Sequence, residues 1–192
     1  ISFLNLPPRI QEVLRKNSFL TKYGFPNAQD SFNTTIKFLE IPLEPQIGGE
    51  LFVEHLNRYL TGRGLPKMTP QLHKIFVQSI LEVFQNALIH SQSKLGFFVC
   101  GQYFPGKHRL DLTMADAGIG IRTQVRRHLN NKISSVDAIK WSLTEGNTTK
   151  AGQEPGGLGL KFLKEFVELN KGKIEISSRY GFYKFIKDVE IF

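Results

Sequence analysis

The stretch that most restricts how this chain can fold is "TPQLHKIFVQSILEVFQNALIHS", residues 69–91. It opens with Thr69, a residue type suited to an N-cap, followed by Pro70, whose missing N–H is harmless in a first helical turn. Apolar residues then recur at helical spacing, so the segment reads as one long helix. Yet this helix, rich in Ile, Leu, Val and Phe, keeps Glu82, Asn86 and His90 four residues apart. Side chains at i and i+4 lie on the same face, so a carboxylate, an amide and an imidazole form one polar row. Taken alone the row reads as a solvated face, and the rest of the sequence has to decide.

The flanking pattern sets the class of fold. Residues 1–24 suggest a short strand, a proline-started helix to about Leu14 and a glycine stop. Residues 25–48 carry Pro26, Pro42, Pro45 and Gly48 around "TTIKFLEI", a linker and strand, which divides an N-terminal segment, 1–48, from a main domain, 49–192. "GELFVEHLNRYL" has helical spacing and "GRGLPKM" breaks it. After the long helix, "KLGFFVCGQYF" and "HRLDLTMADA" form an expected strand pair about Pro105 and Gly106. Helical "RTQVRRHLNN" and "SVDAIKWSL", a Gly/Thr/Pro-rich loop from Glu145 to Gly157, helical "LGLKFLKEFVELN" and the closing strands "GKIEISS" and "FYKFIKDVEIF" complete the order. Helices, hairpin, helices, hairpin favours an α+β fold, with helices on one face of a mixed, mainly antiparallel sheet, over alternating βαβ units.

At 192 residues, with 41% hydrophobic and 22% charged residues, the chain has the composition of a globular protein. No run approaches the roughly 18 apolar residues needed to cross a bilayer, and no signal-peptide layout opens the chain. A cytoplasmic protein without membrane contact is expected. The chain opens at Ile1 on an apolar run, as a fragment or processed chain does, and its leading segment suits the tail of an upstream module. The single cysteine, Cys100, reads as a buried strand residue. The net charge of +8 favours an anionic partner: a nucleotide, a nucleic acid or an acidic protein surface. The basic residues are scattered, and no polybasic tail or aromatic-interleaved basic run points at nucleic acid.

Three short boxes carry the chemistry, and one decoy does not. "GQYFPGKH", 101–108, has nucleotide P-loop spacing, but His108 stands where Ser or Thr would hold magnesium, and a strand follows where a helix should; a hairpin turn explains it better. "ADAGIGI", 115–121, ends a strand with Asp116 and continues with Gly118 and Gly120. A carboxylate there can accept a hydrogen bond from an exocyclic amine, and glycines let backbone approach a flat ligand, although an ordinary Asp-Ala-Gly turn has the same letters. "GGLGL", 156–160, opens a helix with Gly156, Gly157 and Gly159, where unpaired N–H groups and the positive helix end suit an anion, or where a flexible loop simply joins a helix.

In this order the segments resemble the ATP-binding domain of the GHKL superfamily, which includes gyrase-type topoisomerases, chaperone and mismatch-repair ATPases, histidine kinases and anti-sigma-factor serine kinases. "EVFQNALIH" is similar to its N-box, "DAGIG" to its first glycine box and "GGLGL" to its second, with "GNTTK" where the family has its nucleotide lid. The resemblance covers residues 69–192 and implies a Bergerat-type two-layer α/β sandwich that binds ATP and Mg2+. By resemblance, Asn86 coordinates the magnesium, Glu82 polarises the attacking water or hydroxyl, and His90 lies near phosphate or merely caps the helix. Asp116 selects adenine, Gly118 and Gly120 flank the base, and Gly156, Gly157 and Gly159 serve the phosphates. Thr148, Thr149 and Lys150 add hydroxyls and a charge on lid closure. "GFYKF", 181–185, lacks the threonine that many members place on a late strand near adenine. The layout is closest to stand-alone bacterial members such as the anti-sigma-factor serine kinases. The resemblance implies either ATP hydrolysis or γ-phosphoryl transfer to a protein partner, or else a non-catalytic ATP-gated switch that binds a protein or nucleic acid.

Overall fold

Pro8 sits in the first turn of α1 (Pro8–Lys16), and Gly24, at φ +84°, ends the 3-10 turn Leu20–Tyr23 that follows. The computed structural model describes residues 5–60, 69–144, 146, 147, 159–186 and 189–191. The short strand expected at the start of the chain lies outside them. The described elements group into two units, Ile1–Met68 with Leu95–Asp116, and Thr69–Lys94 with Ala117–Phe192.

In the first unit, β1 (Thr35–Ile41), β2 (Phe97–Phe104) and β3 (Arg109–Asp116) form an antiparallel sheet in that order. The helix expected from Gly49 starts earlier, at Pro45, because proline is well placed in a first turn; α2 therefore spans Pro45–Leu60 and includes residue 48. Phe52, His55, Leu56 and Leu60, at helical spacing, are its buried stripe. Phe52 meets Phe97 of β2 edge-on, with ring centroids 5.6 Å apart, so α2 covers that sheet face. The opposite face carries Phe38 stacked on Phe98 at 6.0 Å, with Phe19 against Phe38. The fully buried Phe52 and Phe97 each contribute about 1.5–3 kcal/mol by leaving water. Cys100 lies in β2 and is half-buried, with its thiol pushed up by burial. Pro105–Lys107 form a 3-10 turn and His108 is left-handed, so the P-loop-like letters make a hairpin connection.

In the second unit, α3 (Pro70–His90) is the long helix the sequence predicts, and the Thr69 hydroxyl accepts the Leu72 N–H at its start. Its Phe76 stacks on Phe166 of α6 (Gly159–Leu169), with centroids 4.6 Å apart. α4 (Ile121–Leu129) and α5 (Ser135–Leu143) pack together, with Val125 and Ile139 buried. Ile139 joins Tyr183 and Phe185 in a core ringed by Ile121, Leu143, Val167, Ile174 and Ile176. β4 (Lys173–Ser178), β5 (Gly181–Ile186) and β6 (Val189–Ile191) form a second antiparallel sheet. The last piece, "FYKFIKDVEIF", thus contains two strands, with Ile186 of β5 paired to Val189 of β6. Among the described residues the strand pairings are all antiparallel, and the fold is α+β.

Candidate functional site

The polar row of α3 lies on the flank of its buried stripe. Phe76, Ile80, Phe84 and Ala87 are buried, whereas Glu82, Asn86 and His90 are half-buried. Half-burial of three polar groups in a row differs from the fully solvated face that the spacing alone suggests. Ser79, buried beside the row, donates its hydroxyl to the Ile75 carbonyl at 2.9 Å and so satisfies itself within the helix.

The first glycine box is fastened to the end of this helix. Ser91 caps α3 through its N–H to Ala87, and its carbonyl accepts the Ile119 N–H at 2.8 Å. Ser93 Oγ accepts the Ala117 N–H at 3.4 Å, and the Gln124 side-chain amide donates to the His90 carbonyl. Gly118 passes so close to this helix end that a Cβ would overlap the Ser91 backbone. Gly120 adopts φ +78° at the entry to α4, a conformation that suits glycine. Both glycines therefore have a reason to be glycine in the protein's own packing. His90, the last residue of α3, takes part through its carbonyl.

In the first unit, Asp116 ends β3 opposite Phe97 of β2 and is solvent-exposed. The alternation of the strand puts it on the same face as Leu110, Leu112 and Met114, whose partners Tyr103, Gly101 and Val99 include two buried side chains of the core.

Of the second glycine box, Gly159 is the first residue of α6; Gly156 and Gly157, together with Thr148, Thr149 and Lys150, lie outside the described residues. The strand lacking the family threonine buries Tyr183, whose hydroxyl donates to Glu190 Oε1 at 3.1 Å while Lys164 pairs with the same carboxylate. That Lys164 contact holds the Glu190 carboxyl below its ordinary value, and burial pushes the Tyr183 hydroxyl up. Sequence reasoning missed the residues that hold the glycine loop: Ser91, Ser93, Gln124, Ser178 and Arg179. The only local signal was the "HSQS" run at the helix end, where serines suit capping.

Among the described residues no group of three or more His, Cys, Asp or Glu could hold a metal by itself, and no helix is long and apolar enough to cross a membrane. No curated protein and no solved structure matches the chain. Residues 61–187 match the family described as histidine kinase-, DNA gyrase B-, and HSP90-like ATPase, which implies ATP binding and activity of the ATPase or kinase type. The match takes in the polar row, both glycine boxes and the strand-end aspartate, and the chain belongs to this ATPase family.

Proposed function

We propose that this is a cytoplasmic Mg-ATP-dependent enzyme that hydrolyses ATP or transfers its γ-phosphoryl group to a partner protein, with residues 49–192 as its ATP-binding domain. The observation that carries the reading is the half-buried row of Glu82, Asn86 and His90, on the helix to whose end the first glycine box is hydrogen-bonded. A pure binding module has no need of the carboxylate.

The donor set fits Mg-ATP. Magnesium keeps several waters and takes few protein ligands beside phosphate oxygens, so a single amide oxygen from Asn86 suits it. When bound, Mg-ATP would supply an electrophilic γ-phosphorus, with the metal offsetting part of the negative charge on the phosphate oxygens. Glu82, one turn before Asn86, would then orient a water or a partner's hydroxyl and take up its proton as the new P–O bond forms and the bond to the leaving ADP breaks. Asp116 accepts a hydrogen bond from the adenine amine, and Gly118 and Gly120 let the loop approach the base. Gly159 opens α6, a helix whose first N–H groups have no partner within the helix and face an anion well. His90, Gly156, Gly157, Thr148, Thr149 and Lys150 complete the phosphate side of this reading.

Calorimetry and turnover with two variants test it. Glu82→Ala should keep ATP binding while turnover or partner phosphorylation falls by about 10²–10⁴-fold, as expected for a lost general base. Asn86→Ala should weaken the magnesium-dependent part of binding. A wild type that binds ATP but shows no turnover, alone or with candidate partners, and that Glu82→Ala leaves unchanged, is a non-catalytic ATP-gated switch.

A further inference from the structure

The first glycine box is braced on a second side, by the turn between β4 and β5. The Ile119 carbonyl accepts two hydrogen bonds, from Arg179 Nε at 2.8 Å and from Thr123 Oγ1 at 2.8 Å. With both lone pairs engaged, the orientation of the Ile119–Gly120 peptide is fixed, and in a trans peptide the Gly120 N–H then points the opposite way. The next donor, the Ile121 N–H at the start of α4, goes to Ser178 Oγ at 2.9 Å. A Cβ on Gly120 would come within 3.0 Å of Ser178 Oγ and 3.2 Å of Arg179 Cγ, so the contact leaves little slack.

The turn itself is held in place. Arg179 adopts φ +52°, and the turn is closed by the Ser178–Gly181 pair. Gly181 lies against the backbone of Ser135 at the start of α5, where a Cβ would meet its carbonyl carbon at 2.8 Å. Arg179 is exposed and contributes nothing to the apolar core, so its fixed Nε contact is separable from packing.

We infer that Ser178 and Arg179 are positioning residues that set the orientation of the Ile119–Gly120 peptide, and through it the discrimination of adenine from guanine nucleotides. This rests on the reading of the loop as the adenine-side wall of an ATP site. Neither residue touches the reacting atoms. A guanidinium Nε donates along a fixed direction in its plane, which a flexible ammonium reproduces only in part.

The test uses the full chain with Arg179→Ala, Arg179→Lys and Ser178→Ala, read by calorimetry with ATP and with GTP, by amide hydrogen exchange and by thermal unfolding. Arg179→Ala should weaken ATP binding by about tenfold, the size of one lost oriented hydrogen bond, and GTP binding by less, so that the ATP-over-GTP ratio narrows. Exchange at Gly120 and Ile121 should quicken while the melting temperature hardly moves, and Arg179→Lys should recover part of the ratio. Ser178→Ala should act in the same direction and carries the test if Arg179→Ala fails to fold. An unchanged ratio in the folded variants overturns the assignment. So does an equal loss for both nucleotides that lysine does not relieve, since that is a merely structural role. If the wild type binds neither nucleotide, the ATP reading itself fails, while quickened exchange in the variants would still identify the brace.

Discussion

Gly118 lies against Ser91 so closely that a Cβ on residue 118 would stand 2.0 Å from the Ser91 carbonyl oxygen and 2.6 Å from its carbonyl carbon. Both neighbours are backbone, at the end of α3, and neither can turn aside as a side chain would. Gly118→Ala should therefore force the loop off the helix and lower stability by about 1–3 kcal/mol, the usual range for overpacking. Chemical denaturation checks the stability. ATP binding should fall further than the stability loss explains, because the Ile119–Ser91 hydrogen bond is lost with the contact.

Asp116 ends its strand in solvent, so replacing it leaves the core untouched. Asp116→Asn should weaken ATP by about 1–3 kcal/mol through an ill-matched polar contact, with thermal unfolding nearly unchanged. Equal ATP affinity in calorimetry for the variant and the wild type would remove Asp116 from the site.

His55 gives the first unit a pH dependence. It is 7% exposed, its ring lies 4.7 Å from that of Tyr59, and its Nε2 has no hydrogen-bond partner among the described residues. Burial pushes the imidazole down from 6.5 to about 4, with the Lys37 backbone offsetting part of this and Arg58 adding to it. Between those values the unfolded chain binds a proton that the native ring refuses, so stability is full above pH 6.5 and declines as pH falls toward about 4. The decline should be on the order of 3 kcal/mol. His55→Phe keeps a ring and removes the proton, so its denaturation midpoint should change less over this range than that of the wild type.

Tyr183 separates packing from hydrogen bonding in the second unit. It is 1% exposed, yet its hydroxyl reaches the Glu190 carboxylate beside Lys164. Tyr183→Phe removes one hydrogen bond and should cost about 1 kcal/mol, whereas Tyr183→Ala also opens a cavity and should cost about 3–5 kcal/mol. Urea denaturation of the two variants distinguishes them.

Much of the fold was legible because its signals are local. Thr69 and Pro70 start the long helix, Pro105 and Gly106 turn the β2–β3 hairpin, and Pro8 lies in the first turn of α1, each through backbone preferences that act within a turn or two, whereas the glycine expected to stop that helix instead ends the 3-10 turn Leu20–Tyr23. The polar row of Glu82, Asn86 and His90 followed from helical periodicity alone, and the three boxes in order pointed to an ATP-binding family. The start of α2 at Pro45 and the division of the last piece into β5 and β6 were less legible, since element boundaries carry weaker local signals than element type.

What the sequence by itself determined, then, is which residues lie on which helix or strand face, because side-chain direction repeats with a fixed period. Only the tertiary structure decided that the row is half-buried on the flank of a packed stripe rather than fully solvated. It alone showed that Gly118 is glycine because of Ser91, and that Ser178 and Arg179, 57 and 60 residues from their partners Ile121 and Ile119, fix the glycine loop. Such contacts leave no periodic trace, since a hydroxyl or guanidinium at a turn has the same local preferences whether it faces water or another backbone. Its partner is chosen by how the packed helices and strands bring distant segments together.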